Sequence, residues 1–446
     1  MSEAGSMALL LVLSVVILLF LVMKVKLHAF VSLLLVSMFM GIASGMDIKE
    51  VMATIQSGMG GTLGFIATVV GLGAMFGKML EVSGGAERLA RTFIKAFGVE
   101  KSPWAMVLSG FLVSIPVFFD VGFIILVPLV YALAKETKKS VLVFGIPLLA
   151  GLAVTHAFVP PTPGPILVAE LVGADLGKVI FAGILAGIPA AILAGPVWGK
   201  FIGSKIDAKV PEYMELDEKV IEVKDEDLPS FATIMLLILV PIVLILLNTA
   251  ATAFMPEGQL RSIFNFIGHP FFALTFAVIL SFIVLGRFKG LSKEQVESVA
   301  SQALTSTGMI ILVTGAGGVF KQVLVDSGIG KILAESLTKY PMSPIILAFV
   351  IAMVVRIAAG SATVAMTTAG AIIAPLMAHA NVEPALIVIA IASGSTAFSH
   401  VNDSGFWLVN RYFGISEKDT LRSWTVMETI IGFVGLFMAL ILNLVF

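Results

Sequence analysis

Residues 101–139 read KSPWAMVLSGFLVSIPVFFDVGFIILVPLVYALAKETKK. The stretch is apolar over most of its length, yet it carries Lys101 at one end and Lys135, Lys138 and Lys139 at the other. Lys and Arg concentrate in loops on the cytoplasmic side of a membrane, so both ends belong on the same face. A segment that enters and leaves on one face is a re-entrant hairpin. The expected hairpin covers about 103–134, with its turn near Ile115-Pro116-Val117-Phe118-Phe119-Asp120-Val121-Gly122.

Composition sets the same scene for the whole chain. Of 446 residues, 58% are hydrophobic and 13% are charged, whereas soluble domains carry about 25% charged residues. Such a mixture cannot make a water-soluble surface, so the chain is read as an integral membrane protein. The 28 basic and 29 acidic residues nearly cancel, which gives no basic excess for nucleic acid. The chain has no cysteine; this removes disulfides, thiolate metal sites and Cys nucleophiles. Five histidines leave little for a metal cluster, and neither a metal nor a cofactor is expected. The N-terminus lacks a basic n-region and an A-x-A site, so residues 7–23 read as a first span rather than a cleaved signal peptide.

Apolar runs near 20 residues are candidate spans. They fall at about 7–23, 28–46, 60–82, 178–198, 231–254, 268–286, 303–325 and 424–446. With basic clusters placed inside, both termini lie outside. Segment 343–379 has no basic cluster at either end and reads as a second hairpin from the outer face, turning near Gly360-Ser361-Ala362-Thr363. Segments 140–173 and 384–413 each change sides and read as single spans broken at Thr155–Pro165 and Ser399–Gly405. The expected total is about ten full spans and two hairpins.

The sequence repeats weakly. Gly73-Ala74-Met75-Phe76 and Ser83-Gly84 align with Gly317-Gly318-Val319-Phe320 and Ser327-Gly328, and the same offset places Thr155-His156 on Ser399-His400. The charge map runs span 60–82 inward and its mate 303–325 outward, so the copies are inverted. The expected fold class is therefore an all-α polytopic membrane protein of two inverted repeats, 1–198 and 231–446, joined by a hydrophilic cytoplasmic linker at 199–230. Inverted repeats with broken helices near mid-membrane belong to secondary transporters.

A broken helix frees N–H groups at one half-helix and carbonyls at the other. Four breaks meeting at one depth can bind an anion. Thr155, Thr162, Ser361, Thr363, Ser399 and Asn402 add neutral donors and acceptors, a set suited to a hydroxylated carboxylate. Ionisable residues at membrane depth are costly and are candidates for function. Asp120, His156, Arg356, His400 and Asp403 all fall at or beside the breaks. Each has a purely structural alternative: a histidine satisfied by a carbonyl, an aspartate capping a helix, an arginine tying two carbonyls.

These stretches carry a resemblance. Gly60-Gly61-Thr62-Leu63-Gly64, Gly77-Lys78-Met79-Leu80, Thr155-His156 with the proline run, Phe320-Lys321-Gln322-Val323-Leu324-Val325-Asp326-Ser327-Gly328, Gly360-Ser361-Ala362-Thr363-Val364-Ala365 and Phe398-Ser399-His400-Val401-Asn402-Asp403 resemble the gluconate:H⁺ symporter (gluconate permease) family. The resemblance runs from about residue 20 to the end. It implies proton-coupled uptake of gluconate or a related sugar acid across the bacterial inner membrane, and a homodimer of elevator type with no enzymatic activity. The chain departs from the family's usual pattern at Thr162, where members carry His, and at Asp120, where they carry Glu.

On that reading substrate meets Asp120, Thr155, Thr162, Arg356, Gly360, Ser361, Thr363 and Asn402, and the proton is taken by Asp120, His156, His400 or Asp403. Other small hydroxy acids or D-serine as substrate, Na⁺ as coupling ion, a passive channel and a membrane enzyme stay open as alternatives.

Overall fold

The computed structural model describes residues 3–211, 224–329 and 343–445. Residues 212–223 of the expected linker lie outside the described residues. What is described consists of helices and their connections. The first half runs α1 (Glu3–Met23), α2 (Ala29–Ala43), α3 (Ile48–Ser83), α4 (Gly85–Phe97), α5 (Ser102–Val113), α6 (Phe119–Thr137), α7 (Leu142–Phe158), α8 (Pro163–Val172) and α9 (Leu176–Ile192), then a π turn at Leu193–Val197 and α10 (Trp198–Gly203). The second half runs α11 (Phe231–Phe254), α12 (Gln259–Ile267), α13 (Pro270–Phe288), α14 (Lys293–Asp326), α15 (Pro344–Ala359), α16 (Ala362–Ile373), α17 (Pro384–Thr396), α18 (Ser404–Phe413), α19 (Glu417–Thr420), a π turn at Leu421–Thr425 and α20 (Val426–Leu442).

Among the described residues, 8 helical stretches are long and apolar enough to cross a membrane. Of the helices expected to form hairpins, α6 has 19 residues and α15 has 16, and the other two are shorter. α5 has 12 residues, about 18 Å at 1.5 Å per residue, against a hydrocarbon core of about 30 Å. α16 also has 12 residues. Each short helix is joined to its neighbour by a tight turn, Ser114–Phe118 or Gly360–Ser361.

Three boundaries differ from the sequence reading. The spans expected at 60–82 and 303–325 are the apolar parts of α3 and α14, which have 36 and 34 residues. Hydropathy marks only apolar residues, whereas each helix starts earlier at its own cap, Asp47 or the Ser292–Gln295 capping box. The first break is shorter than expected. α7 continues through Thr155 and His156 to Phe158, because only from Pro160 onward does the backbone lack donors and the required φ freedom. Pro163 then sits in the first turn of α8, where no N–H is needed. The second break starts two residues early, since α17 ends at Thr396.

Both halves place their pieces in the same order: a long helix, a helix–turn–helix pair, an interrupted helix, and a helix with a π turn. α3 and α14 pack along one another, α5 packs on α7, and α15 packs on α17. α7 and α17 are buried along nearly their whole length. Outward apolar side chains cover α1, α11 and α13, such as Val12, Leu236 and Ile279, where lipid tails replace water as their solvent.

The α5–α7 crossing needs glycine. A Cβ on Gly110 would collide with the Leu148 carbonyl oxygen, and one on Gly151 with that of Val107. Small residues at a membrane helix crossing let backbones approach closely. Gly151→Leu is expected to cost about 1–3 kcal/mol by overpacking and to lower the detergent melting temperature. Gly60→Ala, at a position with open space around it, should leave it near the wild-type value.

Candidate functional site

The turns and breaks meet at one cavity of about 550 Å³, within the usual range of roughly 300–1,000 Å³ for small-molecule sites. Four helices begin on its wall. Phe119 and Asp120 open α6, Pro163 and Gly164 open α8, Ser361 to Thr363 open α16, and Asp403 to Gly405 open α18. The first N–H groups of a helix have no partner inside it and carry the positive end of its dipole, so a helix start favours an anion. Here four are collected around one volume, with unequal donors: α8 offers only Gly164, because Pro163 and Pro165 have no N–H, and Val364 and Gly405 already donate to Ser361 and Asp403.

One side chain of full positive charge joins them. Arg356, in the last turn of α15, is 3% exposed. It donates to the Gly360 carbonyl and, at 2.5 Å, to Asp403 Oδ2. Asp403 also accepts from Ser399 Oγ and, at 3.1 Å, from the Gly405 N–H of α18. Trp424 Nε1 donates to Ser399 Oγ at 2.8 Å. Asn402 reaches back to the end of α15, donating to the Ile357 carbonyl at 2.9 Å. Gly360 takes φ 73°, a left-handed conformation that glycine adopts without penalty, and a Cβ there would strike Asn402. The α15–α16 turn and the α17–α18 break are thus stitched into one unit.

Among the residues singled out from sequence, Asp120, His156, Arg356, Gly360, Ser361, Thr363, Asn402 and Asp403 line the cavity. Asp120 lies in the first turn of α6, whose cap is Phe118, and makes no side-chain cap bond. Its carboxylate has no hydrogen-bond partner among the described residues. His156 Nδ1 is buried without a partner. Ser361 caps α16, accepting from the Val364 N–H at 3.3 Å.

Thr155, Thr162 and His400 do not line this cavity. Thr155 Oγ1 donates to the Phe111 carbonyl of α5 at 2.8 Å, tying α5 to α7. Thr162 Oγ1 donates to the Val159 carbonyl at 2.7 Å. His400 Nδ1 donates to the Phe398 carbonyl at 2.9 Å.

Sequence reasoning passed over Glu428 and Trp424, which both line the cavity. Glu428 had a signal: it is the single acidic residue in the apolar run 424–446. Trp424 had none, since its role depends on the π turn that carries it. Apolar wall comes from Met309, Ile310 and Met366. Among the described residues no group of three His, Asp or Glu side chains could hold a metal ion.

Set beside known proteins, the chain matches at every level. The profile described as GntP family permease matches residues 7–445. A gluconate permease of Pseudomonas aeruginosa is 42% identical over 427 residues, covering 95% of each chain. A low-affinity gluconate transporter of Escherichia coli is 43% identical over 432 residues, covering 96% of each. Among solved structures, MtrF of Neisseria gonorrhoeae, described within a class of antimetabolite efflux pumps, has a TM-score of 0.68 and covers 88% of this chain and 85% of that one. At 14% identity that likeness is one of fold.

The Arg356–Asp403 pair is testable by itself. Removing one member of a buried pair leaves the other uncompensated, at about 3 kcal/mol or more. Asp403→Asn and Arg356→Gln should each lower thermal stability by about that amount. The double variant should lose at least about 1 kcal/mol less than the two effects summed. Strict additivity would mean that the pair does not hold the turn to the break.

Proposed function

Because the chain belongs to the GntP family of permeases, we propose that it imports gluconate, or a closely related sugar acid, together with H⁺ across the bacterial inner membrane. Membership in a permease family leaves no place for the membrane enzyme. The single observation that carries the substrate class is the cavity where four helix starts and Arg356 converge. A carboxylate can take the N–H groups at these starts that no side chain caps, and hydroxyls find mixed groups on Ser361, Thr363 and Asn402. Arg356 presents a fork of N–H donors that suits a carboxylate. Thr155 and Thr162, bonded to backbone carbonyls, brace the site rather than touch substrate.

Coupling to a cation fits the electrostatics, and the ionisable residues at the site favour H⁺. Moving an anion inward against the membrane potential costs about 2.3 kcal/mol per charge per 100 mV, and a co-transported H⁺ removes that cost. Of the candidate carriers Asp120, His156, His400 and Asp403, the first two face the cavity unpartnered, whereas Asp403 is committed to Arg356 and His400 to a carbonyl. Asp120 is the better carrier because it is the more open to the cavity. The relatives' names support gluconate as the substrate.

The layout proposed with it has two inverted repeats, with α5–α6 and α15–α16 as re-entrant hairpins from opposite faces and both termini outside. The recurring order of elements supports it. An elevator motion of the hairpins and broken helices against α3 and α14, in a homodimer, would carry the site between faces.

Uptake of labelled gluconate into proteoliposomes, with an acid-outside gradient and no Na⁺, tests this reading. Accumulation that a protonophore collapses is expected. Accumulation only with Na⁺ would replace the coupling ion. Accumulation of D-serine or another hydroxy acid instead would replace the substrate. Equilibration without accumulation would make the protein a channel.

A further inference from the structure

Glu428 has no role in the scheme above, yet it is the acidic side chain least provided for. It lies in α20, is 4% exposed and lines the substrate cavity. Its Oε1 is buried without a hydrogen-bond partner. The elements packed against α20 include α7, α9, α15 and α17. α7 brings His156 and α15 brings Arg356. α17 has no titratable residue, and Lys178 of α9 is bonded to Glu383 at 2.8 Å. Asp403 is a charged neighbour of Glu428 together with Arg356, and Asp120 faces the same cavity.

Arg356 is the one cation of this cavity among the described residues. It is paired with Asp403. An ionised carboxylate without donors is costly, and of the groups lining the cavity only Arg356 can offset that cost for Glu428. An incoming carboxylate makes the same demand on Arg356 as an ionised Glu428 would. The two cannot be served together by one guanidinium.

We propose that Glu428 is a proton-binding residue of the transport cycle, protonated when the substrate carboxylate occupies Arg356 and ionised when the empty carrier returns. This rests on the H⁺-symport reading and, within it, assigns the carried proton to Glu428 in place of Asp120, which keeps one charge state throughout the cycle. The proton enters from the outer solution onto a Glu428 oxygen and leaves to water on the inner side. Counting Arg356, Asp403, Glu428 and the substrate, the site carries one net negative charge both loaded and empty. The membrane step therefore meets the same charge in both directions, and one proton accompanies one anion.

The test is the pH dependence of gluconate binding to the purified full-length protein, measured by calorimetry. Where one proton is taken up per ligand, affinity rises about tenfold per unit fall in pH. Wild type should show that slope, and Glu428→Gln should flatten it and lose accumulation driven by a pH gradient at least tenfold. Should Glu428→Gln fail to fold, Glu428→Asp carries the test: the steep range should move along the pH axis. A Glu428→Gln variant as steep as wild type, or a Glu428→Asp profile superimposable on it, would overturn the assignment of Glu428. A wild type with neither a pH slope nor gradient-driven uptake would overturn the symport reading and this inference with it.

Discussion

Backbone that leaves the helix inside a bilayer has no water to satisfy it, and every N–H and C=O it frees must be met within the protein or beside a wet cavity. The structure meets this constraint at four places and leaves a useful remainder. On one side of the breaks the carbonyls are taken: Asn402 covers that of Ile357, Thr155 that of Phe111, Thr162 that of Val159. On the other side lie the starts of α6, α8, α16 and α18, which all open on the cavity. These acceptors are consumed within the protein, while N–H groups at the helix starts other than those taken by Ser361 and Asp403 face a single volume. Backbone donors thus add to the single arginine of a cavity whose wall also holds Asp120, Asp403 and Glu428.

The arginine is also the mechanical centre. Arg356 holds the α15–α16 turn through Gly360 and the α17–α18 break through Asp403, and Asp403 continues through Ser399 to Trp424 on the last helix unit. A substrate that competes for Arg356 would therefore loosen the contacts that fix the turn in place. Binding and motion then share one interaction, and the same competition sets the charge balance among Asp403, Glu428 and the incoming anion.

Much of this was legible in the sequence because membranes impose coarse rules. Lys101 and Lys139 at the ends of one apolar stretch revealed a helix–turn–helix pair, and Pro160 to Pro165 revealed an interrupted helix. Asp120, Arg356 and Asp403 were visible as charges where charge is costly. The boundaries were less legible. Capping by Asp47 and Ser292 extends α3 and α14 beyond their apolar cores, and hydropathy is blind to capping. Thr155 and His156, adjacent in sequence, diverge in space: one hydroxyl bonds to α5 and one ring faces the cavity. Their separation follows from helical rotation, which could be applied only once α7 was known to run past them. Glu428 was legible and overlooked, for it sits far in sequence from any break.

If the helix starts and Arg356 hold a carboxylate, the charge of the ligand decides binding more than its hydroxyls do. The direct measurement compares gluconate with sorbitol, the polyol in which the carboxylate is replaced by an uncharged alcohol, for equilibrium binding to purified protein. Gluconate should bind saturably, sorbitol at least about 100-fold more weakly, and Arg356→Gln should weaken gluconate by about 10- to 100-fold, as expected for a charge-assisted contact. Equal binding of the two ligands, or undiminished gluconate binding by Arg356→Gln, would contradict an anion site built from these four helix starts and this arginine.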